Sequence, residues 1–267
     1  MTNVRFAFGR NWAKFLKGVD DAVIGDAVKS LCELLDVKTL SGKTFLDVGS
    51  GSGLFSLAAR RLGARVHSID YDPDSCRCAV LLRQRFYAED TNWTIEQGDI
   101  LDRSCIQSLG TFDVVYSWGV LHHTGAMWNA LDHVQLAVHN GGTLFIAIYN
   151  FQPRWTALYT RMKRAYVSSP AVGKIAIAGV YIGFVVTRSL VFDLLRLRNP
   201  LSRYRKRSRR GMSVWYNWID WVGGYPFETA TPEQIFNFYR QRGFVLDRLT
   251  TVGGGLGNNE FVFKRIP

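Results

Sequence analysis

Three alternating glycines, Gly49, Gly51 and Gly53, lie between two acidic residues, Asp47 and Asp70. Glycine has no Cβ, so the backbone at these positions can adopt positive φ and approach a ligand closely. Asp70 follows Gly53 by seventeen positions, at the end of the next apolar run. There its carboxylate could accept hydrogen bonds from both hydroxyls of a ribose. This spacing predicts a nucleoside-binding turn.

The elements that position this turn follow from hydrophobic periodicity. The apolar run 44–48 predicts a strand before the glycines, and Leu54, Leu57 and Ala58 begin a helical pattern after them. Turns of this kind lie at the carboxyl end of a strand, where open α/β sheets bind ligands. A dinucleotide fingerprint would place its third glycine at Leu54, so that template fails.

The Gly-x-Gly-x-Gly spacing behind Asp47 resembles motif I of the class I S-adenosylmethionine (SAM) methyltransferases. The resemblance implies SAM as the cofactor and Asp70 as the ribose ligand. It also implies that Asp99 accepts a hydrogen bond from the adenine amino group and that the backbone N–H of the next residue contacts the adenine ring. A strained turn without a ligand is the alternative for the glycines, and a helix N-cap or turn role is the alternative for Asp99. The expected cofactor-binding residues are Asp47, Gly49, Ser50, Gly51, Gly53, Asp70, Tyr71, Asp99, Ile100 and Trp118.

A second motif follows the predicted fourth strand, 112–117, which leads into Val-Leu-His-His at 120–123. This segment resembles motif IV of small-molecule methyltransferases, notably those acting on polyprenyl quinols. Those enzymes carry Glu-His where His122 and His123 stand, so the glutamate has no counterpart here. An imidazole of pKa ~6.5 can take a hydroxyl proton at neutral pH. We expect His123 to be the base, with His122 as the alternative; a capping or packing role is open for either.

Residues at strand ends and at the return of the insertion are weaker candidates for lining the acceptor pocket. They are Tyr149, Asn150, Tyr225, Glu228 and Asn258. Four cysteines without a Cys-x-x-Cys pair predict reduced structural thiols, and no metal site follows from them.

Alternating strands and helices over 43–150 predict a parallel, doubly wound α/β sheet. The resemblance supplies a Rossmann-like, seven-stranded order, 3-2-1-4-5-7-6, with the seventh strand antiparallel and a helical insertion after strand 5. The expected parts are a helical cap (1–42), a SAM-binding core (43–150), an insertion (151–230) and a C-terminal helix and strands (231–267). The aromatic segment 8–12 could close over the cofactor or anchor the cap.

The chain has 267 residues, 47% of them apolar, and a net charge of +11, which fits one large globular domain with an elaboration. No secretory signal is read at the start, so a cytoplasmic protein is expected. The basic character lies in one segment, because residues 151–215 hold fourteen Lys or Arg and one acid, Asp193.

This insertion joins an apolar run, 175–187, to a polybasic stretch, 196–210. The run falls short of the ~20 residues of a bilayer span unless Arg188 is included, so a spanning helix is not predicted. An apolar helix beside basic residues is typical of a membrane interface, which predicts peripheral contact of 175–210 with the inner membrane face. A buried cap helix with a solvated basic loop is the alternative.

We therefore expect a SAM-dependent methyltransferase acting on a small or lipid-linked acceptor, quinol-like or glycolipid-like, at oxygen. RNA methylation is a rival interpretation because the insertion is basic, although a base-amine motif such as Asn-Pro-Pro-Tyr is missing after the fourth strand. A non-catalytic SAM-binding or membrane-docking module is the other. The acceptor and the oligomeric state do not follow from the sequence.

Overall fold

A computed structural model describes residues 16, 18–196, 214–253, 255 and 257–267. Seven strands form one sheet in the order β3-β2-β1-β4-β5-β7-β6. Neighbours from β3 to β5 pair in parallel, and β7 pairs antiparallel with both β5 and β6. The predicted fold class, strand order and antiparallel seventh strand are confirmed. The strands are β1 Thr44–Val48, β2 Arg65–Asp70, β3 Trp93–Gln97, β4 Phe112–Trp118, β5 Val138–Tyr149, β6 Phe244–Thr250 and β7 Asn258–Arg265.

Nine α-helices in the described residues cover the two faces of the sheet and build the insertion. The helices are α1 Asp21–Leu35, α2 Leu54–Arg61, α3 Pro73–Phe86, α4 Arg103–Ser108, α5 Met127–Val134, α6 Trp155–Ser168, α7 Ala171–Leu195, α8 Val214–Gly223 and α9 Pro232–Arg240. A short 3-10 turn, Leu121–His123, follows β4.

Each face of the sheet has its own apolar core. On one face Phe45, Tyr116 and Phe145 stack across three strands with ring centroids 5.0 to 5.8 Å apart, under α1 and α2. On the other face Val115 and Ile146 pack with Leu131 of α5 and Ile235 of α9. Burial on both faces is typical of parallel strands, and it explains the continuous apolar run 144–148 in β5.

Local capping explains where the flanking helices begin. Asp20 accepts the backbone N–H of Val23 at 2.9 Å to open α1. The predicted start of α9 is confirmed. Thr231 and Gln234 form a reciprocal capping box, and Pro232 is the first residue of the helix. These caps fix the ends of helices that pack on the sheet.

The insertion between β5 and α9 consists of α6, α7 and α8, which contact one another through aromatic rings. Trp221 of α8 lies 4.7 Å from the Tyr159 ring of α6 and 4.6 Å from the Tyr181 ring of α7. Helix α7 continues through Arg188 without a break, whereas the sequence suggested a shorter apolar run. The aromatic segment 8–12 and the basic residues 198–210 lie outside the described residues.

Candidate active site

The carboxyl ends of β1, β2, β3, β4 and β5 form one edge of the sheet, and the predicted site residues lie along it. The glycine turn after β1 adopts positive φ at all three predicted positions, with 75° at Gly49, 56° at Gly51 and 79° at Gly53. Ile69 of β2 accepts the backbone N–H groups of Gly49 and Ser50 at 2.8 and 3.1 Å. The turn is therefore held in a conformation that glycine adopts without strain.

Asp70 ties the end of β2 to this turn. One carboxylate oxygen accepts the N–H of Gly51 at 2.9 Å, and the other accepts that of Asp72 at 2.9 Å. Burial raises the pKa of Asp70 to about 6, although both backbone hydrogen bonds oppose the shift. The carboxylate thus stands at the glycine turn, as the ribose-binding prediction requires.

Ser50 supplies a test of whether the turn suits a bound group. Its Oγ is buried and meets no hydrogen-bond partner among the described residues. Buried hydroxyls are nearly always paired, so an orphan in a glycine turn fits a site that a polar ligand completes. The cradle and the donor set therefore fit a nucleoside cofactor.

Asp47 lies beneath the turn rather than on its surface. It is only 2% exposed and accepts the hydroxyl of Ser56 at 2.5 Å. Ser68 bonds to Ser56 at 2.7 Å and accepts the indole N–H of Trp93 at 2.8 Å. This buried chain of hydrogen bonds joins β1, β2, β3 and α2, so Asp47 supports the turn from below.

The predicted adenine side of the site lies after β3. Asp99 is half-buried and accepts the N–H of Leu101 at 2.8 Å, while Ile100 is 6% exposed. Tyr71, which follows Asp70, exposes 55% of its surface, and its carbonyl accepts Gln97 at 3.0 Å. Both expected roles of Asp99, turn acceptor and adenine acceptor, are compatible with this placement.

The loop after β4 rests directly on the glycine turn. A Cβ built on Gly49 would lie 2.4 Å from Cγ1 of Val120, so only glycine leaves room for that valine. Trp118, at the end of β4, donates its indole N–H to Glu260 of β7 at 2.9 Å. Because Val120 immediately precedes the 3-10 turn, His122 and His123 are held beside the predicted cofactor seat.

The two histidines have different surroundings. His123 is partly exposed, and its Nδ1 lies 2.7 Å from the carbonyl of Pro226. A carbonyl only accepts, so Nδ1 carries the proton and the ring lone pair is on Nε2. Burial, with a contribution from Lys163, lowers the pKa of His123 to about 3, so the imidazole is neutral at physiological pH.

His122 is fully buried, and neither ring nitrogen forms a hydrogen bond of acceptable geometry with any described residue. Burial lowers its pKa well below the ordinary range, and a weak contact with the backbone of Ala147 opposes the shift. Its ring centroid lies 4.5 Å from that of His123 and 4.1 Å from that of Tyr149. The His122 side chain therefore packs against its neighbours in the interior, and the imidazole of His123 is the more accessible of the two.

Aromatic rings continue from the histidines into the insertion. Tyr149, at the end of β5, lies 5.5 Å from His123 and 5.0 Å from Phe227 between ring centroids. Phe227 comes from the segment that returns to α9. These rings give the region around the imidazoles an apolar and aromatic lining, suited to a flat apolar molecule.

Lys163 of α6 is the functional candidate that sequence reasoning missed. It is fully buried, donates to the carbonyl of Trp221, and lies 4.2 and 4.8 Å from the ring centroids of Trp221 and Phe227. Burial lowers its pKa to about 7. A signal existed, because Lys163 shares one helical face with Tyr159 and Tyr166, which are both buried.

Two predicted acceptor residues, Tyr225 and Glu228, belong to a segment that clamps the histidine turn. Glu228 donates its N–H to the carbonyl of His122 at 2.9 Å, and its carboxylate accepts the N–H of Met127 at 3.0 Å. It thus caps α5, whose own N-cap residue supplies no side-chain hydrogen bond. Tyr225 is half-buried beside Pro226.

Asn150 follows the end of β5, and Asn258 is the first residue of β7. The side-chain amide of Asn150 donates to Gly253 and Gly255 at 3.3 and 3.2 Å and accepts from Asn259 at 3.1 Å, so it holds the glycine-rich loop. Asn258 pairs with Tyr149 across the strands, and its buried Oδ1 lacks a partner in the described part of the chain. Of the two, Asn258 has the unsatisfied polar atom.

A family profile described as "Methyltransferase domain" matches residues 46–144, which contain the glycine turn, Asp70, Asp99 and both histidines. Ubiquinone biosynthesis O-methyltransferase of Methylobacterium sp. (strain 4-46) is 31% identical over 124 residues, 46% of this chain and 48% of that enzyme. Ribosomal protein L11 methyltransferase of Anoxybacillus flavithermus is 40% identical over 72 residues, 27% of this chain and 23% of that enzyme. The chain thus matches at most about half the length of these curated relatives.

Among solved structures, magnesium protoporphyrin IX methyltransferase from Synechocystis PCC 6803, with bound SAH, superposes with a TM-score of 0.56. The match covers 96% of this chain and 94% of that chain at 16% identity. At such identity the likeness shows the fold alone.

Proposed function

We propose that this chain, which carries the domain of the class I SAM-dependent methyltransferases, transfers a methyl group to a hydroxyl oxygen of a small apolar or lipid-linked acceptor. The observation that carries the proposal is the position of His123. Its imidazole stands among Tyr149, Phe227 and His122, on a loop packed against the glycine turn through Val120. The predicted nucleoside-binding turn and an aromatic cluster that contains the proposed base therefore adjoin.

The glycine turn, Ser50 and Asp70 would hold the cofactor, with Asp99 and the backbone at Ile100 on the adenine side. When bound, SAM supplies a methyl group on a positively charged sulfur, which an oxygen can attack without activation of the methyl itself. The chain then has to orient the acceptor, exclude water and remove one proton.

Proton removal is the role we give to His123. Nδ1 is fixed by the Pro226 carbonyl, so Nε2 is the atom that accepts. The acceptor's O–H bond breaks as its oxygen forms the new bond to carbon, and the proton moves to Nε2. The methyl group would come from the sulfonium of bound SAM, whose sulfur would keep the electron pair of the sulfur–methyl bond, while His123 holds the proton.

Lys163 sets how readily His123 accepts that proton. Its positive charge is one cause of the lowered pKa of His123, after burial. Lys163 itself loses its proton near neutral pH, with a pKa of about 7. Neutral Lys163 no longer opposes an imidazolium, so we expect turnover to rise with pH through this range.

The name of one relative supports an oxygen atom as the methyl acceptor. The Methylobacterium enzyme is named for O-methylation in ubiquinone biosynthesis, and this chain is 31% identical to it over 124 residues. An aromatic lining and a neutral imidazole suit a phenolic or similar hydroxyl better than a polyanion.

Incubation with methyl-labelled SAM and a panel of acceptors tests the proposal. The panel holds apolar phenols, polyprenyl-type quinols, hydroxylated glycolipids and RNA. We expect label in apolar hydroxyl compounds as a base-stable ether, and loss of label with His123→Ala while SAM still binds. Label confined to RNA, or SAM binding without transfer to any acceptor, would contradict it.

A further inference from the structure

Helix α7 has one face exposed to solvent that is almost wholly apolar. By length and composition alone the stretch Ala171–Asp193, 23 residues, could cross a membrane, and no part of its most apolar window is buried in the protein. A core helix of a soluble domain would be mostly buried. The outward side chains include Val172 (79% exposed), Ile175 (73%), Val180 (76%), Phe184 (53%), Val191 (49%) and Leu195 (79%).

We infer that this outward face of α7 lies in the interfacial region of an anionic phospholipid bilayer, with the helix axis parallel to the membrane plane. Exposed apolar faces of this extent mark interaction sites. The inference does not depend on methyl transfer, because the face lies outside the site described above.

The opposite face of α7 shows why the helix lies along the membrane rather than through it. Ile177, Tyr181, Val185 and Ser189 recur at helical spacing and are half-buried against the protein. Tyr181 stacks on Trp221 at 4.6 Å, with the ring planes within 14°. A spanning orientation would break these contacts, which extend over about 18 Å of the helix.

Charge complementarity selects an anionic lipid surface as the occupant. Residues 151–196 contain seven Lys or Arg, and of these only Lys163 is buried. Arg161 and Arg164 of α6 are exposed, as are Arg188 and Arg196 on and just beyond α7. The single acid in this range, Asp193, is 5% exposed and points inward. Each basic residue near an anionic surface favours binding, and within the described residues 151–196 there is no exposed acid to oppose it.

Helix α7 also links the proposed membrane face to the aromatic residues of the candidate active site. Trp221, which contacts Tyr181 of α7, lies on the other side against Lys163, and Lys163 is 4.8 Å from the ring of Phe227. In the docked protein, α7 would contact lipid on its outer side and this aromatic cluster on its inner side. The candidate active site would then lie close to the bilayer surface.

Flotation of the full chain with liposomes tests the inference, using phosphatidylcholine alone or mixed with phosphatidylglycerol. We expect binding to the anionic vesicles, weakened by high salt and abolished by alkaline carbonate. The variant Val180→Glu/Phe184→Glu places two charges on the outward face and should lower partitioning by roughly tenfold or more.

The matched control is Leu81→Glu/Val245→Glu, which adds the same charges at exposed apolar residues of α3 and β6. It should float like the unaltered chain. Circular dichroism and SAM calorimetry show whether each variant is folded. Folded protein that ignores anionic vesicles, or binds equally after Val180→Glu/Phe184→Glu, overturns the inference.

Two other occupants give distinct results. If the face joins a second copy, light scattering will show a dimer that Val180→Glu/Phe184→Glu dissociates, and vesicles will not bind. If α7 spans the bilayer, carbonate will fail to release the protein. Either result overturns the interfacial geometry, whether or not methyl transfer has been demonstrated.

Discussion

Gly49 and Val120 are in such close contact that a Cβ on Gly49 would lie 2.4 Å from Cγ1 of the valine. The contact joins the turn after β1 to the loop after β4, so the nucleoside seat and the histidines are positioned together. A change at Gly49 should therefore affect both cofactor binding and catalysis.

Gly49→Ala should destabilise the chain by more than the ~1–2 kcal/mol cost of an L-residue at positive φ, because a clash is added. Gly42→Ala is the control, since Gly42 has φ of 74° and nothing within 4 Å of a built Cβ. Denaturant unfolding compares the two. Combining Gly49→Ala with Val120→Ala should recover part of the loss; equal effects of the two single substitutions would refute the contact's importance.

Asp70→Ala should weaken SAM binding by about tenfold to a hundredfold, the range expected for hydrogen bonds to a charged group. Isothermal titration calorimetry measures this directly. Asp74→Ala is the control, because that carboxylate lies near in the chain but pairs with Arg77 at the surface. Similar losses for both variants would show that the effect is not specific to Asp70.

The pH dependence of SAM affinity gives a second test of Asp70. Its pKa is raised to about 6, so the carboxylate becomes protonated below that pH and can no longer accept both ribose hydroxyls. Affinity should fall by up to about tenfold between pH 7 and pH 5. The effect on stability has the opposite sign, since the folded chain binds this proton more tightly and loses stability as pH rises from about 4 to 6. Asp70→Asn should abolish both trends.

His123→Ala should leave SAM affinity unchanged and lower kcat by about a hundredfold to ten-thousandfold, the usual contribution of a positioned base. His122→Ala should act mainly on stability, because that ring is fully buried. Steady-state kinetics and calorimetry separate these effects. Full activity in His123→Ala would mean that positioning alone suffices or that another group takes the proton.

Lys163→Met should remove the rise of turnover with pH near 7 and alter stability in a pH-dependent way. The pKa of Lys163 is lowered to about 7, so between pH ~7 and ~10 the unfolded chain holds a proton that the folded chain lacks. Stability from this residue therefore increases with pH, and Lys163→Met should flatten that slope. Arg164→Met, on the exposed side of α6, should leave both profiles unchanged.

Glu228→Ala should cost about 1–2 kcal/mol of stability, because the carboxylate caps α5 at Met127. Glu228→Gln keeps an acceptor oxygen and should cost less. Thermal unfolding of the two variants makes the comparison. Equal losses would show that charge, rather than the cap, is the important property.

The sequence alone predicted the glycine turn after β1 and the position of Asp70 beside it. The alternating glycines, Asp70 at its distance and the apolar runs around them are local patterns, and parallel strands necessarily bring their carboxyl ends to one edge. The strand order came from resemblance, since periodicity does not say which strands are neighbours.

Only the tertiary structure decided what the remaining polar groups do. The side chain of Asn150 bonds to Gly253, 103 positions away, and Glu228 caps a helix 101 positions away. Asp47 bonds to Ser56 in a network that joins three strands and a helix. In the sequence, Lys163 is one basic residue of a basic segment. In the structure it packs against Trp221, and this burial lowers its pKa. Burial depends on which distant residues surround a side chain, and local sequence does not contain that information.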